Sequence, residues 1–96
     1  MDERMAVSPA LCKRMDTLTH RERVIARYVA FGFRSKYIAE IECVSERTVR
    51  TQLEMIYTKL GAIGRTQLAV LAVISGLVEP EAVVQAWQEH APEVFV

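Results

Sequence analysis

The amino-acid sequence predicts an all-α fold in which four helices are preceded by an N-terminal arm and followed by an additional C-terminal helix. Apolar residues recur at helical spacing along most of the chain, and no segment alternates like a strand outside residues 93–96, which are too few to count. Four glycines and three prolines leave few forced breaks. With 51% hydrophobic and 25% charged residues, the 96-residue chain has the composition of one globular domain.

The sequence divides into three predicted parts. Residues 1–17 are the arm, in which Ser8 is expected to cap a short helix that begins with Pro9, a residue type favoured at the first helical position. Residues 18–77 hold the four helices. Residues 78–96 form an acidic C-terminal helix and tail.

The first helix of the domain is predicted over residues 20–31. Thr19 and Glu22 form the T-x-x-E pattern of a capping box, in which two side chains satisfy two backbone amides. Gly32 suits the end of this helix, because a left-handed residue commonly terminates one. Apolar residues follow the cap at helical spacing: Val24, Ile25, Tyr28 and Val29.

Two helices joined by a short connection are predicted in the middle of the chain. Ser35 is a candidate cap for a helix over about 36–41, and Ser45 caps a helix over 46–60 that ends at Gly61. The pair forms a helix-turn-helix unit, whose second helix enters the major groove in DNA-binding proteins. The inward residues of the shorter helix are Ile38, Ala39 and Ile41. The buried stripe of the longer helix is Val49, Leu53, Ile56 and Leu60.

Two further helices are predicted over about 65–75, ending at Gly76, and about 80–90, ending before Pro92. The first is apolar almost all round, and because one small domain cannot cover every side of it, an interface is expected there. We therefore predict a homodimer through this helix, extended by the next. The apolar side of the last helix carries Val83, Val84 and Trp87. The expected dimerisation residues are Leu68, Leu71, Ala72, Ser75 and Trp87.

The charges are unevenly distributed although the net charge is zero. Residues 1–65 carry all 12 Lys and Arg together with 8 acids, whereas residues 66–96 carry 4 acids and no Lys or Arg. Only a fold that gathers the cations on one side would offer a face for phosphates. The acidic C-terminal helix is instead a candidate contact for a protein partner.

Several classes of function find no support in the sequence. No apolar run reaches the ~18 residues of a membrane span, and no signal core follows the charged N-terminus, so we expect a cytoplasmic protein without a membrane partner. His20, His90, Cys12 and Cys43 lack metal-ligand spacing, and both thiols are expected to be free. No nucleophile motif, phosphate loop or paired carboxylates occur, so we expect no enzyme activity, no cofactor and no metal.

Polar residues lie opposite the buried stripe of the helix over 46–60. They are Arg47, Arg50, Thr51, Glu54 and Thr58. Arginine and threonine on such a face can reach phosphates or base edges of DNA. The alternative is an ordinary solvated surface with an ion pair between Arg50 and Glu54, which are four residues apart.

Six segments resemble the LuxR-type family of helix-turn-helix transcription regulators, in register and without a gap over about 18–77. They are LTHRE at 18–22 (family pattern L-T-x-R-E), the glycine at 32, SKYIA at 35–39 (N-K-x-I-A), VSERTVR at 44–50 (I-S-x-x-T-V-K), IYTKLG at 56–61 (I-x-x-K-L-G) and RTQL at 65–68 (R-T-E-L). Each segment alone is weak evidence for the family, but six segments in register are specific for it.

The resemblance implies a four-helix domain that acts as a homodimeric, sequence-specific regulator on double-stranded DNA. Its third helix would read the major groove, and its fourth would mediate dimerisation. Position by position, it implies phosphate or backbone contacts from Lys36, Ser45, Thr48 and Lys59. It implies base-facing roles for Arg50, Thr51 and Glu54. Glu22 also matches a family residue, and its expected role here is structural, through the helix cap.

Two other functions remain open from the sequence. The zero net charge, Glu54 and the acidic tail favour an interaction protein of the same fold that binds and blocks another regulator. A sigma-factor region 4 module has a similar helix-turn-helix, although the RTQL segment and the apolar helix that follows argue against it. If Glu54 enters a groove, it either accepts a hydrogen bond from cytosine N4 or orients Arg50.

Overall fold

A computed structural model describes residues 8–95 and confirms the all-α class. Six α-helices follow in order: α1 (Pro9–Asp16), α2 (His20–Phe31), α3 (Ser35–Glu42), α4 (Glu46–Leu60), α5 (Arg65–Ile74) and α6 (Pro80–Glu89), and a 3-10 turn follows at Pro92–Val94. Within the described residues the strand-like pairing is one isolated bridge, between Phe33 and Phe95. Residues 1–7 of the predicted arm and Val96 at the end of the predicted tail lie outside the described residues.

The helix ends are set by the local signals that the sequence predicts. Thr19 Oγ1 accepts a hydrogen bond from the Glu22 amide at 3.1 Å, and the Thr19 amide donates to Glu22 Oε1 at 2.8 Å, which completes the capping box. Ser8 and Ser45 cap α1 and α4 by accepting from the amide three residues later. Gly61 ends α4 in the left-handed region, with φ +70°.

Helix α3 differs from its prediction in two respects. Ser35 is the first helical residue and not the cap, and its hydroxyl accepts a hydrogen bond from Arg65 Nη1 at 3.0 Å. Ile41, predicted to point inward, is exposed. The buried positions are Ile38 and Ala39, and Ile41 lies roughly 200° around the helix from Ala39, which turns it to solvent.

The core is built on the apolar stripe of α4. All four predicted stripe residues are buried, and α4 packs against α1, α2 and α3. Helix α5 packs mainly on α2, and its Leu68 and Ala72 are completely buried. These two side chains are occupied within one chain and are unavailable to a partner, which corrects the prediction that they mediate dimerisation.

The described part of the predicted arm packs against the domain. Met15 and Leu18 are buried in the same core as α4. Arg14 Nη1 donates to the carbonyl of Leu60 at 3.4 Å, and Arg23 Nη2 donates to the carbonyl of Met15 at 2.9 Å. Helix α1 therefore covers the C-terminal end of α4.

Helix α6 adds a further layer on α2. Val83 and Ala86 are buried against it. Trp87 lies at the edge of this contact, and its Nε1 donates to the carbonyl of Phe31 at 2.8 Å. Val84, predicted to lie on the same side as Val83 and Trp87, is exposed like Trp87, whereas Val83 is buried. Val84 lies about 100° further around the helix than Val83.

Candidate nucleic-acid interface

Helix α4 presents a polar face to solvent. All five residues predicted there are exposed: Arg47, Arg50, Thr51, Glu54 and Thr58. The opposite stripe is inside the core, so the helix cannot rotate about its axis without exposing apolar side chains. The polar face is therefore held in one orientation on a rigid element.

On this face Arg50 pairs with Glu46 and not with Glu54. Arg50 Nη1 donates to Glu46 Oε2 at 3.0 Å. Both carboxylates are one turn from Arg50, but the acid that lies N-terminal to its cation gives the more favourable pair. The Arg50–Glu54 ion pair, which the sequence offered as an alternative interpretation of this face, is therefore not formed in the structure. Glu54 takes part in none of the salt bridges among residues 8–95.

The start of α4 holds the predicted phosphate contacts Ser45 and Thr48. Ser45 Oγ accepts a hydrogen bond from the Thr48 amide at 3.0 Å and lies 2.9 Å from Thr48 Oγ1. Ser45 is exposed and Thr48 half-buried. Both hydroxyls stand at the positive end of the helix dipole, where an anion is favoured.

A closed turn fixes α3 relative to α4. Cys43 adopts φ +56°, and the Val44 amide then donates to the carbonyl of Ala39 at 3.0 Å. Ala39 is buried, and its small side chain permits close approach of the two helices. Lys36, at the start of α3, is exposed, as its predicted phosphate contact requires.

Lys59 lies on a flank of α4 and not on the polar face. Its Nζ donates to Glu22 Oε1 at 2.7 Å and to the carbonyl of Thr17 at 3.2 Å. This ammonium is already paired inside the chain, and its contact with the DNA backbone stays a prediction. Burial by itself would raise the pKa of Glu22, but the hydrogen bonds from Lys59 and from the Thr19 amide outweigh it, and the pKa lies below its ordinary value of 4.5.

Arg65 joins the start of α5 to the start of α3, a role that sequence reasoning missed. Besides Ser35 Oγ, its guanidinium donates to the carbonyl of Phe33. Burial lowers the pKa of Arg65, and the nearby Tyr57 phenol acts in the opposite direction. The family pattern R-T-E-L was the only signal for it, because its acceptors lie about 30 residues away in sequence.

The outer face of α5 is apolar. Val70 and Ile74, one turn apart, are 50% and 54% exposed. Of the predicted dimerisation residues, Leu71 and Ser75 are half-buried beside this face, and Trp87 is exposed on α6. The sequence missed Val70 and Ile74, because a helix that is apolar on all sides does not reveal which side faces its own core.

No helix between residues 8 and 95 is long and apolar enough to cross a membrane. The same residues contain no group of three or more His, Cys, Asp or Glu placed to hold a metal ion. Cys12 and Cys43 are free and exposed, as predicted.

Comparison with known proteins places this geometry in context. The sequence model of a family described as bacterial regulatory proteins, luxR family, matches residues 16–72. The chain is 43% identical over 60 residues to the transcriptional regulatory protein YdfI of Bacillus subtilis, covering 62% of this chain and 28% of that protein. It is 33% identical over 70 residues to the transcriptional regulatory protein ComA of the same organism, covering 73% of this chain and 33% of ComA.

A putative HTH-type transcriptional regulator of Mycobacterium tuberculosis, Rv0890c, is 46% identical over 52 residues, which are 54% of this chain and 6% of that protein. The chain thus spans about a third or less of the length of these relatives. No solved structure matches it.

Proposed function

The chain belongs to the luxR family of bacterial regulatory proteins, and from this premise we propose that it is a sequence-specific regulator of transcription that binds double-stranded DNA in the bacterial cytoplasm. One observation carries the proposal: the exposed polar face of α4 stands opposite a completely buried apolar stripe. A helix held in this way by the core, and preceded by a short turn and a second helix, suits insertion into a major groove.

In the proposed complex, the exposed face of α4 lies along the base edges. Arg50 is the reader of guanine, because its guanidinium can pair with O6 and N7 together. Its present partner, Glu46, is an exposed neighbour on the same helix, so exchange for a base costs little. Thr51 and Glu54 flank Arg50, and Arg47 and Thr58 extend the face toward the two strands.

Phosphates of the duplex would meet the starts of two helices. Lys36 stands at the start of α3, and Ser45 and Thr48 stand at the start of α4. Helix N-termini favour anions, and the lysine adds a full charge. These contacts position the protein and do not select a sequence.

We further propose that the protein binds as a homodimer through the outer face of α5, centred on Val70 and Ile74. An apolar face of this kind on a small domain usually marks an interface. The two copies of α4 would then lie about 34 Å apart, one turn of DNA. Val70→Glu should abolish dimers in sedimentation, whereas Val84→Glu on α6 should leave them intact. A strict monomer, both free and on DNA, would refute this arrangement.

The salt dependence of binding to random duplex tests the DNA proposal. Each phosphate neutralised contributes about −0.9 to the slope of log K against log salt. With Lys36 and about two arginines neutralising phosphates in each protomer, a dimer should therefore give a slope on the order of −5. Absence of binding at low salt, or tight binding that salt does not weaken, would be incompatible with the proposal.

A second candidate is an interaction protein of the same fold that blocks another regulator. The exposed carboxylate of Glu54 on the polar face and the zero net charge favour it. Under this alternative, neutralising Glu54 would weaken binding to a protein partner and leave DNA binding almost unchanged. The same binding experiment, carried out with wild type and Glu54→Gln, separates the two functions.

A further inference from the structure

Helix α6 carries an exposed apolar stripe outside the segment that matches the family. Pro80, Val84 and Trp87 follow at spacings of four and three, so they share one side of the helix. Val84 is 47% and Trp87 56% exposed. Val83 and Ala86 already hold α6 against α2, so this stripe is not needed to attach the helix.

The indole of Trp87 is ordered although more than half of it is exposed. Its Nε1 donates to the carbonyl of Phe31 at 2.8 Å, an acceptor in the last turn of α2. Beside it lies an open groove of about 500 Å³, lined by Trp87 together with Gly32, His90, Pro92 and Phe95. An aromatic side chain held in this way loses little conformational entropy on binding, and such residues dominate the energetics of protein interfaces.

The charged side chains of α6 itself are all negative, and the cations that contact the segments on either side of it are Arg27 and Arg34. Glu81 and Glu89 are exposed on the same helix, Gln85 Nε2 donates to Glu89 Oε2 at 3.1 Å, and no Lys or Arg occurs in residues 66–96. Nucleic acid and anionic lipid would be repelled from this surface. A second copy of the chain is disfavoured too, because a two-fold contact would bring Glu81 and Glu89 against their own equivalents.

We propose that the stripe of Pro80, Val84 and Trp87 is a docking surface for a basic amphipathic helix of a separate protein. The apolar side of that helix would cover Val84 and enter the groove beside Trp87, and its Lys or Arg side chains would pair with Glu81 and Glu89. Helix-in-groove recognition of this kind depends on a few apolar anchors with charges at the rim. The surface is separate from the polar face of α4, so this partner would not compete for the base-reading residues.

The experiment uses Trp87, the single tryptophan of the chain, as its reporter. The probe is a synthetic helical peptide of about 18 residues, composed of leucine on one side and lysine on the other. Titration of the full chain with this peptide, without DNA, should shift the Trp87 emission to shorter wavelength, since the indole becomes covered. A peptide with glutamate in place of every lysine should bind much more weakly, and added salt should weaken the lysine peptide.

Matched variants locate the contact. Val84→Ser should lower the affinity about fivefold or more, because it removes a central apolar anchor. Ile63→Ser, a change at an exposed apolar residue in the loop between α4 and α5, should leave the affinity unchanged. The double variant Glu81→Gln, Glu89→Gln should bind the lysine peptide more weakly, and salt should affect its binding less. The proposal is overturned if the lysine peptide causes no shift, if the acidic peptide binds equally well, or if Ile63→Ser weakens binding as much as Val84→Ser. None of these results bears on DNA binding, which is measured without the peptide.

Discussion

Helix α4 carries two cation–carboxylate pairs that differ in their surroundings. Lys59 Nζ lies 2.7 Å from Glu22 Oε1, with side chains only 27% and 11% exposed. Arg50 Nη1 lies 3.0 Å from Glu46 Oε2, with side chains 61% and 46% exposed. The first pair joins α4 to α2 across 37 residues of sequence, whereas the second lies within one turn of α4.

This difference separates the residues that position the helix from those available to a ligand. An exposed ion pair contributes little to stability, so Arg50 can exchange Glu46 for DNA at small cost. A mostly buried pair resists exchange, because the remaining charge would be left without a partner. One flank of α4 is therefore fixed to the domain, and the polar face remains open.

The largest expected effect on stability follows from breaking the buried pair. Lys59→Met should lower the free energy of unfolding by about 2 kcal/mol, below the usual range for buried pairs because Lys59 keeps some contact with water. Arg50→Met, the matched change in the exposed pair, should cost less than about 0.5 kcal/mol. Urea denaturation of both variants gives these values, and equal losses would remove the distinction between the pairs.

We expect substitution of Arg50 to affect DNA recognition, whereas substitution of Lys59 affects stability. Arg50→Ala should weaken binding to the cognate site by about 1–3 kcal/mol and relax the preference at one base pair. Lys36→Ala should weaken binding to all DNA sequences about equally, because a phosphate contact carries no sequence information. A library of half-site variants measures both, and an unchanged preference in Arg50→Ala would show that Arg50 does not read a base.

The sequence predicted those parts of the molecule that depend on neighbours in the chain. The capping box at Thr19 and Glu22 and the cap at Ser45 are satisfied within one turn, and the structure confirms them. The buried stripe of α4 follows from its period alone. The family resemblance then added what local pattern could not, the expectation that the outward side of α4 contacts DNA.

Features that depend on contacts between residues far apart in the sequence could not be predicted from it. Nothing near Lys59 in sequence indicates Glu22 as its partner, so a lysine in a DNA-binding pattern was read as a DNA contact. Leu68 and Ala72 were assigned to a dimer interface for a related reason, because an all-apolar helix has no polar side to orient it. The sequence did not single out Glu46 as the partner of Arg50, because two acids lie one turn away and the direction of the pair decides between them.

The pH dependence of stability sharpens the role of the buried pair. The pKa of Glu22 is lowered in the folded chain, so its contribution to stability is present above the ordinary pKa of 4.5 and is lost as the pH falls through the folded value. Glu22→Gln should therefore be less stable than wild type near pH 7, and its stability should decline less steeply between about pH 5 and 3. Parallel profiles for the two proteins would show that the Glu22 carboxylate is not stabilised in the folded state.

The smallest effect gives the most direct test of the claim that the polar face of α4 enters DNA. Glu54→Gln removes a negative charge from that face, and Glu81→Gln removes the same charge from α6. If α4 lies in the groove, Glu54→Gln should raise affinity for random duplex roughly two- to fivefold at moderate salt, because repulsion from nearby phosphates is relieved. Glu81→Gln should change it far less. A fall in affinity for Glu54→Gln, or an equal rise in both variants, would contradict the placement of α4.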